Sequence, residues 1–332
     1  MNENKKKVKA LGLCSGGLDS MLAGVVLARQ GLEVVWVSFE TPFFSAGKAR
    51  KASRLMGIPL IVKDITERYM RMLKNPSAGY GKYMNPCMDC HALMFRVAGE
   101  MMLEINADFL FSGEVLGQRP MSQTKSSLRY VAKHSGYDGL ILRPLSAKRM
   151  PETEMEKNGL VDRQLLHDFS GRSRKPQIQL ARSLGITDYP GPGGGCRLTD
   201  PNFSKRLTDL FAHVENASRE EFELLKHGRH IRISPAAKIV VGRDMADNDN
   251  ILSLYRPEND IRIILKDIPG PACLMPYVDD EDAVRTGAAV CAGYSRVESG
   301  KPVNVNVLSP SGLSVLSVMP LQPGDSLDLH VL

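Results

Sequence analysis

Between Leu11 and Ser20 the chain reads LGLCSGGLDS, two adjacent glycines flanked by hydroxyls and one carboxylate. Paired glycines let a backbone approach an anion closely. The amides at the start of a following helix then point at it, and the helix dipole adds to the attraction. Ser15 and Ser20 can add hydroxyl donors to the backbone of Gly16, Gly17 and Leu18. Asp19 would repel a phosphate unless a cation lies between them, which implies Mg2+. A tight turn with Ser/Asp helix capping would use the same residue types. The loop is not a Walker A motif, since GxxxxGK[ST] is missing, and GxGxxG does not fit it either.

Three thiols form a second set. Cys87 and Cys90 make a CxxC in YGKYMNPCMDCHALMF, just ahead of a helix expected from about His91 to Ile105. Amides at a helix N-terminus favour thiolate, so lowered thiol pKa values are expected here. The spacing suits a redox pair, half of a zinc site or part of an iron–sulfur site. Zinc usually takes four ligands, and no second CxxC exists. Cys196 stands in the Gly/Pro-rich run YPGPGGGCRLTD, a setting that displays a thiol for use. Cys14, Cys273 and Cys291 lie in apolar or small-residue contexts and read as packing residues. His91 is a weaker ligand candidate than a capping or surface residue, Asp89 has no evident role, and Met94, Met101 and Met102 read as core.

Both sets need a frame. KVKALGLC, VVWVSF, PLIVKDI and DFLFSGEVLG read as strands, and SMLAGVVLARQG and AGKARKASRLMG as helices stopped by Gly31 and Gly57. This alternation predicts an α/β fold, a parallel sheet covered by helices, with ligands at the carboxyl ends of its strands. The glycine loop occupies such an end. Gly113, Glu114, Gln118 and Arg119 would share the same rim after the fourth strand, and Phe39 falls near the end of the second.

Hydrophobic residues make up 43% and charged residues 24% of 332, an ordinary globular balance. No apolar run reaches the roughly 20 residues of a membrane helix, and the basic start lacks a signal peptide's apolar core. A cytoplasmic protein with reduced thiols and no membrane partner is expected. The net charge of +6 permits a polyanionic partner. From Arg119 to Arg149 seven Lys/Arg face one acid, Asp138, and SGRSRKPQIQLARSLGI is a second basic stretch. Arg119, Arg172, Arg174 and Lys175 are candidate contacts to an RNA backbone.

SGGLDS between first strand and first helix resembles the PP-loop of the N-type ATP pyrophosphatases, an adenine-nucleotide α-hydrolase-like fold. The resemblance implies that ATP donates AMP and that the loop, with Ser15, Gly16, Gly17, Leu18, Asp19, Ser20, Phe39 and Gly113, holds ATP and the departing pyrophosphate with Mg2+. NPCMDC resembles the NPCxxC segment of tRNA 2-thiouridylases. CxxC plus a later cysteine is similar to the iron–sulfur tRNA thiolases, among them certain 4-thiouridine synthetases. That likeness implies Cys87, Cys90 and Cys196 as ligands of a 4Fe–4S cluster and, with Asp19, as the catalytic set. A persulfide relay through Cys196, resolved by the CxxC, is the competing chemistry. Where cluster-free thiouridylases keep an Asp after Asn-Pro, this chain has Cys87.

After about Leu225 short β runs broken by Gly, Pro and Asn indicate a smaller α+β domain. GRHIRIS, VGRDMADNDNIL, DIPGPACLM and AVRTGAAVCAGYS resemble the NFACT-R type of RNA-binding domain, and dimerisation or a lid role is the alternative. The expected organisation is a PP-loop catalytic domain over 1–205, a helical linker over 206–225 and an NFACT-R-like domain over 226–332. The resemblance implies an ATP-dependent tRNA sulfurtransferase acting on uridine before cytidine. Its partners would be tRNA and a sulfur donor, either sulfide or a cysteine desulfurase, and a homodimer is left open. The rivals are a PP-loop ligase or amidase on a small molecule with cysteine-bound zinc, and a non-enzymatic, nucleotide-gated RNA-binding factor.

Overall fold

Apolar β-branched runs alternating with helix-prone segments build the first of two units, residues 1–199, and the second spans 200–332. The computed structural model describes residues 7–193, 196–276, 278–297, 300–322 and 330–332. The basic lead of residues 1–6, and Gly194 and Gly195 of the Gly/Pro turn, lie outside them.

The first unit opens with β1 (Lys9–Leu13), α1 (Leu18–Arg29), β2 (Glu33–Glu40), α2 (Gly47–Met56), β3 (Leu60–Asp64) and α3 (Thr66–Lys74). It continues through α4 (Cys87–Glu104), β4 (Phe109–Ser112), α5 (Lys125–Ser135), β5 (Ile141–Leu142), α6 (Glu154–Lys157) and α7 (Lys175–Ser183). All five strands are parallel, in the order β3-β2-β1-β4-β5. Trp36, Tyr69, Phe95, Phe109 and Phe111 are fully buried, each a large apolar contribution of about 1.5–3 kcal/mol.

The order reverses between β1 and β4, since β2 and β3 lie on one side of β1 and β4 and β5 on the other. A crevice opens at the carboxyl ends of strands at such a switch point. Here the crevice is bordered by the glycine loop after β1 and residues 113–119 after β4. Two glycines set its walls. Gly16 has φ +71° and lies so close to α2 that an added Cβ would sit 2.2 Å from the Lys48 carbonyl carbon. A Cβ on Gly113 would lie 2.4 Å from the Asp19 carbonyl carbon.

One helix starts earlier than the sequence suggests. α4 begins at Cys87, with the Cys90 amide donating to the Pro86 carbonyl at 2.8 Å. Nothing in CMDC breaks a helix, and Pro86 is tolerated because its missing N–H would be unpaired at that position. The CxxC is therefore the helix's first turn, which puts both thiols on one face.

The second unit contains α8 (Pro201–His213), α9 (Arg219–Leu224), β6 (Arg229–Arg232), β7 (Lys238–Val241) and α10 (Met245–Ser253). β8 (Asp260–Leu265), β9 (Cys273–Pro276), α11 (Glu281–Gly293), β10 (Val303–Ser309), β11 (Gly312–Val318) and β12 (His330–Val331) follow. Its strands form one antiparallel sheet in the order β11-β10-β8-β9-β7-β6-β12. Cys273 and Cys291 are fully buried in its core, as expected of packing residues. Residues 206–225, expected as a linker, hold most of α8 and all of α9 and fall within this unit. Asp209 of α8 accepts from Arg232 Nε at 2.9 Å and from Lys238 Nζ at 3.1 Å. Burial outweighs that carboxylate and draws the Lys238 ammonium down to about 8.

Gly16→Ala should destabilise the first unit by about 1–3 kcal/mol, since it combines a positive φ with a backbone clash. Trp36 is the sole tryptophan, so its fluorescence in a urea titration reads that unit alone. An unchanged midpoint would contradict the packing described.

Candidate functional site

The glycine loop is tied from within. Ser20 Oγ donates to the Gly17 carbonyl at 2.8 Å, and the Gly17 amide donates to Ser15 Oγ at 3.4 Å. Gly17 is the N-cap of α1 and receives no side-chain cap, so the amides of the first turn are left for another acceptor. Leu18 is buried beneath the loop, Ser15 is exposed, and Phe39 is buried near the end of β2. Asp19 Oδ2 accepts from Gln118 Nε2 at 3.0 Å, and Gln118 Oε1 accepts from Gln177 Nε2 at 3.4 Å. Burial pushes the Asp19 carboxyl above its usual range, against the Gln118 hydrogen bond and the charges of Arg174 and Arg119. Asp19 Oδ1 is buried without a partner. A lone buried carboxylate oxygen beside bare amides is the donor chemistry that Mg2+ takes with a phosphate, so the loop fits that cation.

The three thiols come together. Cys90 lies deep in the protein yet keeps accessible surface, as a residue at the foot of a crevice does. Burial, then the nearby Cys196 and Cys87, pushes its thiol well up. Cys196 is raised by burial and by Cys87, against backbone donors at Leu198 and Thr199. The lowered pKa expected from the helix start is thus not found at Cys90. Cys196 is also not displayed on a free turn. It is half-buried, and its carbonyl accepts from Thr199 Oγ1 at 2.7 Å and the Thr199 amide at 2.9 Å. Cys87 Sγ accepts from Asn85 Nδ2 at 3.3 Å. Tyr69 of α3 is fully buried among these sulfurs, its phenol pushed far up by burial and by Cys90 and Cys196.

Among the described residues no group of three His, Cys, Asp or Glu side chains is gathered tightly enough to hold a metal ion. A single zinc, with bonds of about 2.3 Å to sulfur, needs such crowding, so the thiols as placed do not fit it. A four-iron cluster spans more space and is ordinarily held by four thiolates, of which the described residues bring three together.

A buried carboxylate joins the thiol turn to the loop. Glu114 Oε1 lies 2.7 Å from His91 Nδ1, and its Oε2 accepts from Arg143 Nε at 2.9 Å and Ser112 Oγ at 3.1 Å. Although burial alone would raise it, Arg143 and His91 hold the Glu114 carboxyl at about 2. His91 is therefore a network residue, neither a cap nor a free ligand. Asp89 is an anchor, accepting from the Ala78 amide and Tyr130 Oη, both at 2.8 Å. Met101 and Met102 are core.

The basic run 119–149 is less open than its charge suggests. Arg143 is buried on Glu114, Arg129 pairs with Asp138 at 2.9 Å and Arg149 with Asp168 at 3.6 Å. Arg119, Arg172 and Lys175 are exposed, and Arg174 is half-buried. Tyr69 and Gln177 escaped the sequence reading. A glutamine in the buried stripe of α7, one turn before Ala181, was the only available sign of Gln177. Nothing in the spacing links Tyr69 to thiols some twenty residues on.

Residues 6–153 match the family described as thiamine biosynthesis protein (ThiI), and residues 228–328 match the NFACT protein RNA binding domain. The N-terminal part of the chain is thus similar to the ThiI family and the C-terminal part to the NFACT RNA binding domain. A probable tRNA sulfurtransferase of Staphylococcus epidermidis is 30% identical over 146 residues, 41% of this chain and 34% of its own. A tRNA-specific 2-thiouridylase MnmA of Methylobacterium nodulans is 28% identical over 124 residues, 32% of each chain. The chain thus spans about a third of the length of these curated relatives. Among solved structures, a predicted subunit of tRNA methyltransferase from Methanocaldococcus jannaschii aligns at a TM-score of 0.31 with 15% identity. It covers 41% of this chain and 69% of that one, a likeness too loose to bear on fold or function.

Because the folded Glu114 value lies below the ordinary 4.5, its pairing stabilises fully above that pH and fades as pH falls towards about 2. Glu114→Gln should flatten the acid limb of first-unit stability, followed by Trp36 fluorescence in urea from pH 5 to pH 2. An unaltered slope would remove Glu114 from that role.

Proposed function

We propose that this chain is an ATP-dependent tRNA sulfurtransferase that adenylates a base, uridine in the first place, and replaces its oxygen by sulfur. The observation carrying this is the convergence of three thiols on a crevice that a contact chain joins to the phosphate loop. Cys90 is followed by His91, His91 holds Glu114, and the neighbouring Gly113 lies against Asp19. Adenylation and sulfur transfer need such neighbours, because the activated base must meet sulfur before water does.

The base carbonyl oxygen attacks the α-phosphorus of ATP, the bond to the β-phosphate oxygen breaks, and the base gives up its ring N–H proton. The uncapped amides at the start of α1 with the Ser15 hydroxyl hold the departing pyrophosphate, Ser20 braces the loop through the Gly17 carbonyl, and Asp19 Oδ1 takes the cation beside it. Hydrosulfide then adds at the base carbon that bears the adenylated oxygen and loses its proton, and the C–O bond breaks to release AMP. Cys87, Cys90 and Cys196 are the proposed holders of a 4Fe–4S cluster, which when bound supplies an iron able to carry sulfide. Tyr69 closes the floor of that thiol site against water. The second unit binds the tRNA, and in the first unit Arg172 and Lys175 take phosphates of an RNA backbone.

Nucleoside mass spectrometry of bulk tRNA from a strain lacking the gene should show one thionucleoside lost. Serine at Cys87, Cys90 or Cys196 should fail to restore it while leaving ATP binding unchanged, and anaerobically prepared protein should contain iron and acid-labile sulfide. An unchanged profile in a strain without a second thiolase overturns the reading and favours a small-molecule ligase. Restoration by all three serine variants favours an RNA-binding factor without chemistry.

A further inference from the structure

Arg174 stands among the basic residues that suit RNA, yet its surroundings differ from those of Arg172 and Lys175. Those two are exposed, whereas Arg174 is half-buried with Nε enclosed and without an acceptor. It is the N-cap residue of α7, and Gln177 follows one turn later on the same face. Gln177 is fully buried; its Nε2 donates to Gln118 Oε1, and Gln118 Nε2 donates to Asp19 Oδ2. Asp19 fixes the direction of this relay, since a carboxylate can only accept. Each amide therefore turns its N–H towards Asp19, and Gln177 Oε1 is left buried with no donor.

Three buried polar atoms without partners thus gather around one carboxylate: Asp19 Oδ1, Arg174 Nε and Gln177 Oε1. They come from α1, the residue capping α7, and α7 itself, two helices packed on one another. Buried polar groups are nearly always paired, so such a cluster points to a missing ligand. That ligand must offer anionic oxygens to Arg174 and a cation to Asp19 Oδ1. A metal polyphosphate offers both, and the uncapped first turn of α1 offers amides to the same anion.

We propose that Arg174 grips the β- and γ-phosphates of ATP rather than an RNA backbone, and that Gln118 and Gln177 are positioning residues that aim Asp19 at the accompanying cation. This rests on the PP-loop reading above. Arg119, exposed and within electrostatic reach of Asp19, adds charge at the mouth. The clamp draws pyrophosphate away from the α-phosphorus as the bond to it breaks, so it favours adenylation over return to ATP.

The test measures equilibrium binding of α,β-methylene ATP with Mg2+, of AMP, and of bulk tRNA to the full chain. Arg174→Met should weaken the triphosphate analogue about tenfold or more, as loss of a charge-assisted contact does, and leave AMP and tRNA binding unchanged. Arg174→Lys should recover part of that loss. Arg172→Met should show the reverse pattern, with weaker tRNA and unaltered nucleotide. Gln118→Leu should raise the Mg2+ concentration needed for half-maximal analogue binding without changing AMP affinity. Arg174→Met that weakens tRNA alone, that weakens AMP and analogue equally, or that changes nothing overturns the proposal. Wild-type protein that binds tRNA but neither nucleotide would overturn the PP-loop reading itself.

Discussion

A carboxylate buried as deeply as Glu114 can persist only if cations are brought to it. Arg143, placed just beyond β5, supplies one, and His91 on the first turns of α4 supplies a second contact. Leaving such a charge uncompensated costs about 3–5 kcal/mol, a large share of a domain's stability. That penalty obliges the end of β4, the end of β5 and the thiol-bearing turn to meet at one point. Gly113 stands next to Glu114 and touches Asp19, so the same constraint sets the distance between thiols and glycine loop.

The thiols show which of two effects wins at a helix start. The dipole and free amides of α4 stabilise a thiolate by about 0.3–1 kcal/mol. One unit of pKa corresponds to about 1.4 kcal/mol, and burial moves enclosed groups by several units. Cys90 sits in the first turn and is nonetheless raised, because burial and then the Cys196 and Cys87 sulfurs outweigh both the helix start and the Tyr69 hydrogen bond that would lower it. Such a site disfavours free thiolates at Cys90 and Cys196.

The features legible in the sequence were local ones. SGGLDS between strand and helix, the βαβ rhythm and the separate α+β region follow from residue patterns a few positions long. The start of α4 was misplaced because Cys, Met and Asp carry no strong capping signal in that order. The run 119–149 looked more open than it is because charge counting cannot see that Arg143 is spent on Glu114, Arg129 on Asp138 and Arg149 on Asp168. Tyr69, Gln177 and the His91–Glu114 contact join segments far apart in the chain, and only the sheet order brings them together. Cys196 was singled out by its glycine-rich context, but its tight carbonyl bonds to Thr199 were not visible there.

The order in which ribosomes make this chain gives the Glu114 pairing a further meaning. The glycine loop is synthesised first and the CxxC next, while Arg143 follows some thirty residues after Glu114. Until Arg143 emerges, Glu114 lacks its guanidinium partner, and burying it between β4 and the first turn of α1 is costly. A partly made chain therefore carries the glycine loop without its second wall. The crevice beside the glycine loop closes only once the residues that oppose it exist, and a truncated product ending before Arg143 lacks that second wall.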